Sequence, residues 1–141
     1  MFKAFFIGLL LFSVSGSALA EQVNDSKKLR IIALAPHIVE NLFAIGAGDN
    51  IVGTVDYADY PSEAQSIERI GGYYGISLEK VLALKPDLVI AWKSGNQSED
   101  LAQIEHLGIK VYLSNPTTIA GVADELLTFG EFTGNIKQSQ Q

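Results

Sequence analysis

The sequence predicts an α/β fold in which a parallel sheet is flanked by helices, a Rossmann-like lobe. Short apolar or β-branched runs alternate along the chain with stretches of helical spacing, and the links between them are short. The run DLVIAW, which ends at Trp92, is apolar on both faces. A strand with two apolar faces is typical of a parallel sheet that helices cover on both sides, so we expect right-handed crossovers between the strands.

The first half of the chain predicts two strands and one helix. Residues 29–36 form a β-branched run stopped by proline, which indicates a strand. Residues 37–48 predict a helix that ends at glycines. The apolar side chains at helical spacing in that stretch are Val39, Leu42, Phe43 and Ile45. Residues 50–57 predict the second strand, and residues 58–75, with a proline and several glycines, predict a surface loop.

The second half begins with a short helix over residues 77–86, for which Ser77 is the expected N-cap and Pro86 the stop. The third strand follows and ends at Trp92. Residues 98–108 predict a helix with Ser98 at its cap and Gly108 at its end.

The last two elements are a fourth strand over residues 110–116 and a final helix over residues 117–134. One side of that helix is expected to carry its apolar residues Ile119, Val122, Leu126 and Leu127. The polar end, residues 135–141, is compatible with a helix and has no stop signal, so the chain is expected to be truncated there.

Residues 1–20 have the features of a secretory signal peptide. Lys3 precedes an apolar stretch over residues 5–14, and the segment ends in Ala-Leu-Ala, so cleavage is expected after Ala20. The apolar stretch is too short for a comfortable membrane span, although an uncleaved N-terminal anchor is the alternative. We therefore expect an exported protein that is not embedded in the membrane after cleavage.

The composition excludes several classes of function. The chain has 141 residues, which suits one small domain, and it has no cysteine, so disulfides, thiol nucleophiles and thiolate metal sites are ruled out. A formal net charge of −6 with scattered lysines makes nucleic-acid binding unfavourable, since phosphate contacts need clustered cations. No nucleophile elbow, Walker loop or zincin motif is present, so we expect no enzyme, no catalytic residue, no metal site and no cofactor.

Aromatic side chains follow two of the predicted strands and occupy one of the loops. Tyr57 ends the second strand, Trp92 ends the third, and Tyr73 and Tyr74 lie in the glycine-flanked sequence GGYYG. In an open parallel sheet, ligands bind where the strands end at their carboxyl side. Flat rings with polar edges suit a large, flat, partly polar ligand, although each ring alone could simply cover the edge of the core.

The sequence resembles the N-terminal lobe of the periplasmic binding proteins for cobalamin, haem and ferric siderophores, whose two lobes are joined by one rigid helix. Residues 30–61, 75–92 and 107–119 carry the resemblance, which covers nearly all of residues 29–134. Its core is SLEKVLALKPDLVIAW, and the continuation AWKSGN is similar to the cobalamin-binding members that deliver to an ABC importer.

The resemblance implies roles for individual residues. Tyr57 matches a tyrosine that lies against the corrin, and Trp92 matches a tryptophan that lines the same cleft. Tyr73 stands where a close relative has tryptophan. Glu79 matches the acidic residue that docks on arginines of the membrane permease, although a carboxylate in a first helical turn also favours the helix dipole. His37 is expected to be a solvent-exposed residue at a helix start rather than a ligand contact.

The resemblance implies a monomeric protein of the periplasm that captures cobalamin as a transported ligand and delivers it to the permease of an ABC importer. A haem or ferric-siderophore binder of the same superfamily is the alternative, and a secreted α/β enzyme is an alternative of another class. The implied organisation is a signal peptide over residues 1–20, a loose lead over 21–28, the N-terminal lobe over 29–134, and the start of an interlobe helix over 135–141. Half of a two-lobe clamshell would hold half of a binding site.

Overall fold

The computed structural model describes residues 27–141, so the predicted signal segment and most of the loose lead lie outside the described residues. The elements in chain order are β1 (Ile31–Ala33), α1 (Pro36–Ala44), β2 (Ile51–Thr54), β3 (Gly71–Gly72), β4 (Gly75–Ile76), α2 (Leu78–Leu84), β5 (Leu88–Trp92), α3 (Ser98–His106), β6 (Lys110–Ser114), α4 (Ile119–Thr133) and α5 (Ile136–Ser139).

The main sheet confirms the predicted parallel α/β architecture. Its four strands lie in the order β2-β1-β5-β6, and every neighbouring pair is parallel. One apolar cluster lies between the sheet and the helices α1 and α4, and it includes Ile31, Ile90 and Phe129. A second cluster on the opposite face includes Ile32, Val89 and Ile104 and packs against α2 and α3. Successive residues of β1 and β5 are buried on alternate faces, as the doubly apolar sequence DLVIAW predicts.

Proline begins α1 rather than simply ending the first strand. Pro36 is the first residue of the helix, where its fixed φ suits helical geometry and its missing N–H costs no hydrogen bond. The strand β1 is therefore shorter than predicted. The helix buries Ile38, Val39 and Leu42, and Phe43 packs partly buried against the core, so the predicted apolar face is confirmed.

Helix capping was predicted correctly at α2 and wrongly at α3. The Ser77 hydroxyl accepts a hydrogen bond from the Lys80 amide at 3.3 Å, and Lys85 then leaves the helix in the left-handed conformation with φ of 47°. In α3 the N-cap is Gln97, which makes no side-chain cap hydrogen bond, and Ser98 is already the first helical residue.

The buried side of α4 matches the predicted one only in part. Its fully buried side chain is Phe129, and Glu125 lies one turn before it on the same side, while Ile119 is 92% exposed. The N-terminal turn of α4 follows β6, the edge strand of the sheet, and none of its residues belongs to either apolar cluster. Val122 and Leu126 are partly buried, and Leu127 is exposed.

The segment predicted as a surface loop, residues 58–75, contains regular structure. Residues Ser62–Ser66 form a 3₁₀ turn that buries Ala64, and the strands β3 and β4 form a small antiparallel hairpin. Ile70 is buried on the α2 side of the sheet. This hairpin carries Tyr73 and Tyr74 between its strands, which fixes where those rings stand relative to the main sheet.

The helices within residues 27–141 include none with the length and apolar character needed to cross a membrane.

Candidate functional site

The carboxyl edge of the main sheet holds a cavity of about 180 Å³ that is lined by three of the predicted site residues. Tyr57 follows β2, Trp92 is the last residue of β5, and Tyr73 reaches the same cavity from the hairpin. The structure therefore brings these three side chains together. The strands β2 and β5 both lie beside β1, so the residues at their ends meet at one carboxyl edge, and the hairpin adds Tyr73. The floor of the cavity comes from the loop after β1, at Leu34, Ala35 and Pro36.

Tyr57 stands in an unusual backbone conformation. Its φ is 66°, in the left-handed region that a bulky residue seldom adopts, and its side chain is 78% exposed. Such strain persists only where the surroundings impose it, and it is concentrated at functional positions. The conformation directs a large ring to the cavity rim without burying it in the core.

Tyr73 is 84% exposed and packs edge-on against Tyr74, with ring centroids 5.6 Å apart. The Tyr74 hydroxyl donates to the Asp56 carboxylate at 2.9 Å, and this hydrogen bond raises the pKa of Tyr74 because it favours the neutral phenol. The Gln97 side-chain amide donates to the Tyr73 carbonyl at 3.1 Å. The hairpin is thus fastened on two sides while the Tyr73 ring remains open to solvent.

The turn after Trp92 is held in place by hydrogen bonds from one side chain. The Asn96 side chain accepts from the Trp92 amide at 2.6 Å and donates to the Leu34 carbonyl at 2.9 Å. One side chain therefore joins the ends of β5 and β1. Sequence reasoning missed this role of Asn96, although an asparagine in a tight turn after a strand is a signal for local backbone bonding.

Gly95 was also missed, and it allows Trp92 to take its position. A Cβ atom added at Gly95 would fall within the six-membered part of the Trp92 ring. The indole lies folded over the turn, with 42% of its surface exposed toward the cavity rim. Only a residue without a side chain leaves room for this packing.

His37 is not the solvent-exposed helix-start residue that we expected. It is partly buried in the first turn of α1, and its ring meets the Trp92 ring edge-on with centroids 5.5 Å apart. Burial lowers the pKa of His37, and the carboxylates of Glu125 and Glu40 oppose this effect. His37 contacts the Trp92 ring but is not among the residues that line the cavity.

Glu79 lies apart from the aromatic cavity, in the exposed first turn of α2. The Nζ of the neighbouring Lys80 donates to the Glu68 carboxylate and to the Arg69 carbonyl, both at 2.7 Å. Within the part of the chain that the structure describes, no hydrogen bond or ion pair involves the Glu79 carboxylate. An outward carboxylate on a short, well-capped helix can meet a basic surface on another protein.

A larger, polar depression of about 570 Å³ adjoins the aromatic cavity and shares Asp56 with it. Its cations are already paired, since Arg69 bonds Asp59 at 3.1 Å and Lys80 bonds Glu68. No cluster of three acidic or histidine side chains among residues 27–141 could hold a metal ion. The aromatic cavity therefore remains the site that best matches a large flat ligand.

Comparison with known proteins gives a consistent result. The sequence model of the periplasmic binding protein family matches residues 31–141. The vitamin B12-binding protein of Vibrio vulnificus (strain CMCP6) is 38% identical over 125 residues, which cover 89% of this chain and 43% of that protein. The chain thus spans about two fifths of the length of the curated relatives it matches.

Two solved structures show similar backbones. The periplasmic vitamin B12 binding protein BtuF of Vibrio cholerae matches with a TM-score of 0.76 and 40% identity, over 80% of this chain and 44% of that chain. A periplasmic heme binding protein from Pseudomonas aeruginosa matches with a TM-score of 0.74 and 21% identity, over 80% of this chain and 41% of that chain. The second likeness shows the fold alone.

Proposed function

The chain belongs to the periplasmic binding protein family, and from that premise we propose that it takes part in capturing cobalamin in the periplasm for an ABC importer. It would bind the vitamin noncovalently and catalyse no reaction. The vitamin B12-binding proteins among its relatives support cobalamin over other ligands of the family.

The observation that carries this proposal is the meeting of three aromatic side chains at one cavity. Tyr57, Tyr73 and Trp92 come from three separate segments, and all three line the same space at the carboxyl edge of the sheet. Tyr57 and Tyr73 are largely open to solvent, and Trp92 is 42% exposed. Exposed rings of this kind offer broad contact area to a flat macrocycle at low entropic cost, because each ring has few rotatable bonds.

The cavity supports the role of one wall in a larger site. Its volume of about 180 Å³ is below the range of roughly 300–1,000 Å³ that pockets for small molecules usually have. A ligand of cobalamin's size resting on this wall would keep its far side in water. We therefore expect the 141-residue chain to bind cobalamin more weakly than a protein that also supplies an opposing lobe.

A titration with cyanocobalamin, followed by NMR on the 15N-labelled chain, tests the proposal even when binding is weak. We expect the largest changes at the Trp92 indole N–H and at the amides around Tyr57 and Tyr73. Tyr57→Ala should weaken the response, whereas Tyr60→Ala should leave it intact. Tyr60 is a matched control because it is an exposed tyrosine three residues away that does not line the cavity.

Signals that stay unchanged at millimolar cyanocobalamin would refute the proposal. A parallel titration with haemin tests the family alternative, since haem iron is often held by a tyrosine oxygen. A new haem absorbance band that is lost in Tyr57→Phe or Tyr73→Phe would favour haem as the ligand, provided that cyanocobalamin causes no change in the NMR signals. A ferric siderophore would be expected to need a basic surface, and Lys93 is the principal cation at the end of β5.

We further propose that Glu79 docks the protein on basic residues of the importer's permease. Its carboxylate is exposed at the start of α2. Glu79→Lys should reduce binding to permease-containing vesicles without changing the fold. Glu99→Lys provides the matched control, because Glu99 is an exposed carboxylate in the first turn of α3. Equal loss in both variants would show a general charge effect rather than a docking contact.

A further inference from the structure

The Trp92 ring makes one aromatic contact with a residue that does not line the cavity. It meets His37 edge-on, with ring centroids 5.5 Å apart and an angle of 84° between the planes. Edge-to-face aromatic packing is directional, so movement of the His37 ring changes the surroundings of the indole. His37 is thus placed to control the orientation of Trp92 without itself lining the cavity.

Two buried polar groups lie on the same side of the sheet behind this contact. Ser114 pairs with Trp92 in the β5–β6 ladder and is fully buried, and Glu125 on the inner side of α4 is only 5% exposed. Neither the Ser114 Oγ nor the Glu125 Oε2 has a hydrogen-bond partner among residues 27–141. A buried carboxylate oxygen without a partner is costly, so it has a strong tendency to acquire a donor.

The Glu125 carboxylate acts on two titratable side chains of the same layer. Burial and the Glu125 charge raise the pKa of Tyr112 on β6, and the same charge opposes the lowered pKa of His37 on α1. The charges that act on the imidazole are Glu125, from the packed helix α4, and Glu40, from α1 itself. Burial lowers the pKa of His37, so the ring is neutral at pH 7 and gains a proton only on acidification. Once protonated, the ring has two N–H donors and a positive charge that the Glu125 carboxylate favours.

We propose that His37 and Glu125 form a proton-sensitive pair that positions Trp92. At neutral pH the imidazole packs against the indole. On acidification the imidazolium turns toward the Glu125 Oε2, because a charge-assisted hydrogen bond is stronger than an edge-to-face ring contact. Trp92 then loses its packing partner, and the aromatic wall becomes less well ordered. His37 and Glu125 are positioning residues in this scheme, and neither contacts the ligand.

The emission of Trp92 tests the pair directly, because this is the only tryptophan in the chain. A pH titration of the ligand-free chain between about pH 8 and pH 4.5 should show one step that reports His37. The step should vanish in His37→Phe, which keeps a flat ring but cannot titrate. It should persist in His106→Phe, which removes the chain's other histidine from the exposed end of α3.

Glu125→Gln gives the second readout. Since the Glu125 carboxylate raises the pKa of His37 against the effect of burial, its removal should move the emission step to lower pH. A purely structural role for Glu125 would change stability without moving the step. An emission that stays flat over this range, or a step that remains in His37→Phe, would overturn the proposal. NMR titration of the His37 ring protons gives the same information if Glu125→Gln folds poorly.

The consequence for affinity rests on the proposed function. Cyanocobalamin should bind about fivefold more weakly near pH 5 than near pH 7.5, a difference of roughly 1 kcal/mol, and this ratio should approach one in His37→Phe. A His37-dependent emission step without cobalamin binding at any pH would refute the proposed function and leave the pair intact. Binding with the same affinity at both pH values would contradict the link between the pair and the wall.

Discussion

The Gly95→Ala substitution tests how the Trp92 ring is held at the cavity. An alanine Cβ at this position would overlap the Cε3, Cζ3 and Cδ2 atoms of the indole. The backbone of Gly95 lies outside the left-handed region, so alanine introduces no backbone strain there. The effect of the substitution therefore comes from the collision with the ring, and the ring has to move.

The size of the effect follows from the exposure of Trp92. Overpacking a side chain costs about 1–3 kcal/mol when the neighbours cannot yield. The indole is 42% exposed and can swing toward solvent, so the loss of stability should be near the lower limit, about 1 kcal/mol. The displaced ring leaves His37 and no longer completes the wall. We expect cyanocobalamin affinity to fall about tenfold, which corresponds to about 1.4 kcal/mol.

Three measurements separate these effects. Chemical denaturation gives the stability change, Trp92 emission and its quenching by acrylamide report the exposure of the ring, and titration with cyanocobalamin gives the affinity. Ser94→Ala is the control in the same turn, since among residues 27–141 the Ser94 hydroxyl bonds to Asn115 at 3.3 Å and not to the ring. If Gly95→Ala leaves emission, quenching and affinity unchanged, the explanation of Trp92 packing is wrong.

Three further predictions concern the same region. Asn96→Ala should lower the free energy of unfolding by about 1–3 kcal/mol, because the Trp92 amide and the Leu34 carbonyl lose their partner. Tyr57→Asn should raise it by about 1 kcal/mol, since asparagine tolerates the left-handed backbone, and should weaken cobalamin binding. Burial lowers the pKa of His37 in the folded chain, so the unfolded chain binds the histidine proton more readily as the pH falls. The stability that neutral His37 contributes is therefore present above the ordinary histidine pKa and is lost on acidification.

Urea denaturation checks all three. Asn96→Asp keeps one acceptor and should recover part of the loss seen in Asn96→Ala. Tyr60→Asn is the control for Tyr57→Asn, because Tyr60 has no positive φ to relieve. Acid destabilisation as the pH falls below about 6.5 should be smaller in His37→Phe than in the parent chain. A Tyr57→Asn variant less stable than its parent would show that the observed φ imposes no strain.

The sequence predicted the features that depend on local patterns. The doubly apolar run before Trp92 indicated a covered parallel strand, and the same run placed the ring at the carboxyl edge, where Tyr57 also lies. Ser77 was identified as a cap because its hydrogen bond is made within its own helix. Predicting these features requires only the spacing of apolar residues along the chain and the geometry of a parallel sheet.

Features that depend on contacts between distant segments were not predicted. Asn96 bonds the carbonyl of Leu34, 62 residues earlier, and no pattern around Asn96 indicates that partner. The inward side of α4 was assigned by apolar spacing, yet a carboxylate, Glu125, faces the interior. His37 was expected to be solvent-exposed, because its contact with Trp92 joins α1 to β5 and no local pattern indicates it.

Intermolecular NOEs between cyanocobalamin and the chain test the central claim most directly. Corrin methyl protons should show NOEs to the ring protons of Tyr57, Tyr73 and Trp92, since all three rings line one cavity. NOEs from a single ring, or from side chains on another face of the sheet, would contradict the account of a shared aromatic wall.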